Sequence, residues 1–309
     1  MSDFKPTSAE FRVQSPSRSS STYFLLDFPL FGNFQQLEFQ WVKKEKVKAK
    51  VHVAISDSGD AVSLPGLPFG GILTEGSIKT DELEQFIFET VEDLRRRSCT
   101  SFSVIQPPKP YEPLSQLIEN ILFKMGFVQE SVQSHQFFLG KKRIKKQAKT
   151  FEEKLKKEEE KSDTSVIKGK ISNFNFLQDI KKWNSDRGYQ MAFDENRLIQ
   201  QVSLFPDRYF QISVLCKSKP VAHAVAVKLM PESLYYFLSA IDPKAKIPNC
   251  GDRVLHSLFQ LAAEQKSEFI DLGSSETESG INHGLMFFKS RFSNDISNKV
   301  TWKLRFRHE

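Results

Sequence analysis

Ser275, Glu276, Glu278, His283 and Lys289 fall inside one fifteen-residue stretch of FIDLGSSETESGINHGLMFFKSRFS, residues 269–293. An apolar strand runs into Asp271–Leu272–Gly273, a polar loop spans 274–282, and a helix over 284–292 carries Phe287, Phe288 and Phe292. A strand that ends in a polar loop ahead of a helix with a buried face is the usual build of a ligand site in an α/β domain. His283, in the loop, is the histidine placed for acid–base work. Glu276 and Glu278 either orient an amine or are ordinary exposed loop carboxylates. Lys289 either meets a substrate anion or is a surface cation near a helix end.

A second stretch, Ile247–Pro248–Asn249–Cys250–Gly251–Asp252–Arg253, joins a strand to a helix. Unpaired N–H groups at a helix start bind phosphate well. Gly251 permits close approach, and Lys244, Lys246 or Arg253 would add charge. The alternative is that Asn249 or Asp252 merely caps the helix, and the Asp252 anion counts against phosphate. Cys250 at a helix start is expected to have a lowered thiol pKa, but the sequence shows no histidine partner for it. His223 sits within a strand pattern and His256 within a helix pattern, neither with a partner at ligand spacing, so both read as structural. G-x-S-x-G, P-loop and Rossmann fingerprints are absent from the sequence.

The elements that must position these groups follow from periodicity. KVKAKVHVAIS (46–56) alternates as a half-exposed strand. A helix is expected over 34–44. SLPGLPFGGI (63–72) is a shaped loop, because its prolines lack donors and its glycines permit unusual dihedrals. A helix opens at Thr80–Asp81 with Leu83, Phe86, Ile87, Val91 and Leu94 on one face, and Arg95, Arg96 and Arg97 complement its C-terminal dipole. Strand SFSVIQ, a helix over Leu114 to Leu122 stopped by Gly126, and two short strands in FVQESVQSHQFFLG follow. The second half reads as two helices, an antiparallel meander over 208–241, a helix from near Asp252, strand FIDLG, a short helix and a last strand KVTWKLRF.

At 309 residues the chain is long enough for about two domains. The expected division is an arm over 1–21, a first module over 22–140, a charged linker over 141–165 and a second module over 166–309. The net charge of +6 is concentrated: residues 141–161 hold ten Lys/Arg and five Glu, a net of +5. This is a solvated segment rather than a broad nucleic-acid face. Three scattered cysteines form neither a disulfide framework nor a metal-ligand spacing. No apolar run spans a membrane and the start lacks a signal-peptide core, so a cytoplasmic protein is expected.

Three segments resemble the GNAT acetyltransferase superfamily, in the double-module form of the Fem-type aminoacyl transferases. SLPGLPFGGI is similar to a loop of their first module. Residues 235–261 resemble the strand, phosphate-binding turn and helix of the second. In 269–293, Asp271, Gly273, Ser275, Gly284, Phe288, Lys289 and Phe292 match the family ending, whose final Gly is Ser293 here. The resemblance implies tandem α/β modules, each a mixed, mostly antiparallel sheet flanked by helices. It implies an acetyl-CoA or other acyl-CoA donor between two splayed strands, held by Phe237, Leu238, Ser239 and Ala240 and by Asn249, Cys250, Gly251, Asp252 and Arg253. A small-molecule or peptide amine would be the acceptor, met by Phe69, Ser275 and Lys289, with His283, Glu276 and Lys289 as catalytic groups and no metal. Aminoacyl-tRNA is the alternative donor, with tRNA meeting residues 141–149. A degenerate double module acting as a scaffold or homo-oligomer is the third reading.

Overall fold

The computed structural model describes residues 9–16, 23–27, 33–160, 162–188, 194–277 and 280–306. It resolves into two compact units, Met1–Ser134 with Ser297–Glu309, and His135–Ile296. The elements in chain order are β1 (Glu10–Gln14), β2 (Phe34–Lys43), β3 (Lys46–Ser56), β4 (Asp60–Ser63), β5 (Leu73–Thr74), α1 (Thr80–Arg96), β6 (Ser101–Gln106), α2 (Ser115–Lys124) and β7 (Val128–Leu139). They continue with α3 (Lys141–Glu159), β8 (Thr164–Lys170), α4 (Phe176–Asp186), α5 (Glu195–Leu204), β9 (Tyr209–Cys216), β10 (Lys219–Val227) and β11 (Ser233–Ile241). The last are α6 (Cys250–Glu264), β12 (Phe269–Ser274), β13 (Glu276–Thr277), β14 (Gly280–Ile281), α7 (His283–Ser290) and β15 (Asp295–Arg305).

In the first unit, β2 is a strand where a helix over 34–44 is expected. Leu37, Phe39 and Trp41 recur at a period of two, and Lys44 and Glu45, with φ of 51° and 57°, close a tight hairpin onto β3. FVQESVQSHQFFLG likewise forms one strand rather than two. The core joins Phe39, Val51 and Val53 to Phe86 and Leu94 of α1, Ile118 and Leu122 of α2 and Trp302 of β15. Arg95 and Arg97 pair with Glu92 and Asp93 of their own helix.

The parallel pair β4–β6 holds register only from Asp60↔Ser101 to Val62↔Ser103. The 64–72 loop then fills the space beside β6. Gly70 and Gly71 both donate to the Ile105 carbonyl, at 3.1 and 2.9 Å. The Gln106 amide clasps Ile72, accepting from its N–H at 3.0 Å and donating to its carbonyl at 3.1 Å. A Cβ on Gly71 would lie 2.4 Å from Gln106 Oε1 and 2.8 Å from Gln106 Cα, so only glycine fits.

In the second unit β8, β9, β10 and β11 form an antiparallel meander. β11 then pairs parallel with β12, and β12 antiparallel with residues 135–139 of β7. Lys217 and Ser218, both at positive φ, make the expected turn between β9 and β10. α6 buries Val254, Leu255, Leu258, Phe259 and Leu261 against this sheet.

Two boundaries differ from the expected ones. Residues 141–159 are a full helix of the second unit, because Ile144, Ala148, Phe151 and Leu155 make one buried stripe that packs on α6. The final strand belongs by its pairing to the first unit, with Val300 to Arg305 antiparallel to β6. Among the described residues no helix is long and apolar enough to cross a membrane.

Candidate functional site

β11 and β12 run side by side for only three register pairs, ending at Tyr235↔Asp271. Beyond them β11 continues to Ile241, paired with β10 along its other edge. β12 turns away instead. Gly273 adopts φ +73° against the Tyr235 ring, and the pairing of β12 with β7 slips between Asp271 and Ser274. The two strands therefore part like a V. Among the described residues no strand pairs with the open edge of 236–241, where Phe237, Leu238 and Ser239 are half-buried and Ala240 is buried. An open strand edge offers alternating N–H and C=O groups to an extended ligand.

At the apex four polar side chains converge. Asp271, 1% exposed, accepts the Gly273 N–H at 2.7 Å. His135 Nδ1 lies 3.1 Å from both Asp271 carboxylate oxygens, and its ring stacks on Tyr235 at 6.4 Å between centroids. Lys289, 5% exposed, donates from Nζ to the Ser274 carbonyl at 2.6 Å. Burial pulls the Lys289 amine down to about 8, opposed by the Asp271 carboxylate. Ser275 is 1% exposed, and its Oγ has no hydrogen-bond partner among the described residues. An unpartnered buried hydroxyl is costly.

Of the residues that the spacing of 269–293 singles out, Asp271 and Lys289 interact electrostatically, and Ser275 is buried next to Ser274, whose carbonyl accepts from Lys289. His283 is exposed at the start of α7, one residue after the Asn282 cap. Glu276 is half-buried in β13, and Glu278 lies outside the described residues. Phe69 sits in the first unit, 1% exposed, stacked on Tyr23 at 4.8 Å and tilted against Tyr111 at 4.6 Å. The Tyr23 hydroxyl donates to its carbonyl at 3.0 Å, so the Phe69 ring serves a packed core rather than an open site.

The turn at 249–253 is crowded. Asn249 is exposed in the left-handed region. Gly251 is roofed by the Phe288 ring, whose Cζ would lie 3.1 Å from an added Cβ. Asp252 is held by Arg291 through two contacts, at 3.2 and 2.7 Å, and Arg291 lies over the Phe288 and Phe292 rings. Arg253 is buried and turned toward Glu158, Ser162 and Thr164, so its charge is not offered at the turn. Burial pushes the Cys250 thiol up to about 11, which corrects the expected lowering: the helix-start effect is smaller than the loss of water. His256 stacks on Phe151 at 4.1 Å and is held down to about 4 by burial, a neutral core side chain.

The sequence reading missed His135 and Tyr235. Their partner Asp271 is 136 positions from His135, and nothing in local periodicity links them.

No protein-family model matches the sequence, and no curated protein sequence does either. Solved structures do match in shape. FemX superposes with a TM-score of 0.63 at 9% identity, covering 88% of each chain. A tandem GNAT protein from the clavulanic acid biosynthesis pathway gives 0.55 at 8% identity, over 98% of this chain and 100% of its own. L-PGS from Bacillus licheniformis gives 0.51 at 12% identity, over 84% and 82%. The chain therefore shares the fold of these structures, two α/β units as in FemX and the tandem GNAT protein.

Proposed function

We propose that the second unit is an N-acyltransferase whose donor lies along the open edge of β11. The observation that carries this reading is the parting of β11 from β12 after Tyr235↔Asp271. An extended acyl donor with amide groups pairs with the free backbone of 236–241, which places its carbonyl at the apex. The amine nitrogen attacks that carbonyl carbon. The Lys289 ammonium, held by the Ser274 carbonyl, stabilises the developing oxyanion. His135, oriented by Asp271, takes the proton that the amine loses, and the donor leaves as its thiolate or alkoxide as the new amide forms. Ser275 Oγ supplies a hydrogen bond to acceptor or donor.

Acyl-CoA is the first donor class. Isothermal titration with acetyl-CoA and longer acyl-CoA esters tests it, with saturable heat as the expected result. The absence of heat or thermal shift at millimolar donor defeats the acyl-CoA reading. Aminoacyl-tRNA is the second, and two features favour it. Phe288 and the Asp252–Arg291 pair occupy the helix start where a pyrophosphate would sit. The exposed face of α3 carries Lys141, Lys142, Arg143, Lys145 and Lys149. Binding of charged tRNA that weakens steeply with salt, and weakens further when these cations become Ala, supports that donor. If neither donor binds and the chain forms a tight dimer, the scaffold reading replaces both.

A further inference from the structure

A second polar cluster lies in the second unit, among residues that the acyl-transfer reading does not use. Ser213 on β9, His223 on β10 and Asp179 on α4 form a chain of hydrogen bonds. Ser213 Oγ is 2.8 Å from His223 Nδ1, and His223 Nε2 is 3.3 Å from Asp179 Oδ2. Gln211 Nε2 donates to the same Ser213 Oγ at 2.8 Å. The ring of His223 is fixed by Trp183, stacked at 5.3 Å with planes 12° apart, and by Phe176 at 5.9 Å. Ser213 and His223 are 5% and 3% exposed, whereas the Asp179 carboxylate reaches solvent.

The direction of every bond in this chain is forced. A carboxylate only accepts, so His223 carries its proton on Nε2 and gives it to Asp179. Nδ1 is then a bare acceptor, and the Ser213 hydroxyl must donate to it. Gln211 fills one of the two lone pairs on the serine oxygen and leaves the other free to attack. Burial keeps the imidazole below its ordinary value, against the pull of Asp179, so it is neutral at pH 7 with that lone pair available. The order acid, imidazole, hydroxyl is that of an activated serine, with the two imidazole nitrogens exchanged in role.

Ser213, His223 and Asp179 all line one solvent-open pocket of about 340 Å³, whose lining also includes Lys168, Lys170, Asn173, Asn175, Phe176 and Leu215. That volume lies in the range of small-ligand sites. A hydroxyl held on a rigid strand, beside a base and facing a small cavity, is arranged for covalent chemistry rather than for packing alone.

We propose that Ser213, His223 and Asp179 form a serine esterase centre for small carboxylic esters. Ser213 Oγ attacks the ester carbonyl carbon as its proton passes to His223 Nδ1. The carbon–oxygen bond to the alcohol breaks, and His223 returns the proton to the departing alkoxide. A water molecule, deprotonated by His223, then attacks the acyl-serine. The carboxylic acid is released and Ser213 recovers its proton. Gln211 Nε2 and the amides of Asn173 and Asn175 are the donors available to the tetrahedral oxyanion.

A fluorophosphonate probe on the full chain, read by intact mass and peptide mapping, tests this without any knowledge of the natural ester. One adduct at Ser213 is expected, absent in Ser213→Ala. Asp179→Asn is the decisive variant. Its amide can donate to Nε2, which moves the imidazole proton to Nδ1 and ends acceptance from Ser213. Labelling should slow by about 10²-fold or more, as should p-nitrophenyl acetate turnover. Because Asp179 reaches solvent, this variant stays folded, and an unchanged circular dichroism spectrum and melting temperature check that. An unlabelled Ser213 in the wild-type protein overturns the proposal, and so does an Asp179→Asn protein that labels at the wild-type rate. Neither result touches the acyl-transfer site, whose residues are different.

Discussion

Replacing Lys289 by Met isolates the cost of holding a charge at the apex of the open strands. The amine falls from 10.5 to about 8 on folding, chiefly through desolvation. At about 1.4 kcal/mol per unit, the folded state disfavours the ammonium by ~3 kcal/mol relative to the unfolded chain. The sign follows from proton binding. Between pH 8 and 10.5 the unfolded chain keeps the Lys289 proton that the folded protein has released, so stability rises with pH in that window. Below it, both states are charged and the full penalty is present. The free energy of unfolding of the wild type minus that of Lys289→Met therefore increases by about 2 kcal/mol from pH 7 to pH 9.5. Subtracting the variant cancels the titration of other groups, which would otherwise hide the effect. Urea melts at a series of pH values measure it. The variant leaves the Ser274 carbonyl without its donor, a pH-independent cost of ~1–3 kcal/mol that shifts the curve without tilting it. A difference that stays flat to within about 0.5 kcal/mol across that range refutes a buried amine of lowered pKa. The same variant should lose acyl transfer, and wild-type transfer should decline above about pH 8 as Lys289 loses its charge.

Other expectations concern other parts of the chain. Asp271→Asn should lower turnover by ~10²–10⁴-fold while donor affinity, read by calorimetry, stays near wild type, because the carboxylate orients His135 rather than the donor. Gly71→Ala should destabilise the first unit by ~1–3 kcal/mol in thermal melts, since the added methyl meets the Gln106 backbone. Phe151→Ala should cost ~3–5 kcal/mol if α3 is part of the second unit's core, whereas a true linker would show almost no change in urea midpoint. Cys250 should react with iodoacetamide at pH 8 far more slowly than a free thiol, and rapid labelling there contradicts its burial.

The chain's local chemistry was open to reading from the residues alone. Strand β3, the meander β9–β11, the face of α1 and the strand-to-helix order of 269–293 all follow from periods of 2 and 3.6, from turn residues and from caps. Those are interactions between near neighbours, and the sequence states them directly. The resemblance of 63–72, 235–261 and 269–293 to Fem-type chains also pointed to the tandem fold that the solved structures share. What periodicity left open was set by partners far away in sequence. β2 is a strand because β3 pairs with it, α3 is a core helix because α6 covers its stripe, and the last strand joins the first unit by pairing with β6. Phe69, Arg253 and Cys250 carry the right chemistry for a site, yet burial commits each to packing, and burial depends on the whole fold. His135 and Asp271, like Ser213 and Asp179, become neighbours only when strands and helices stack, since hydrogen bonds act over a few ångströms and the chain between them spans tens of residues.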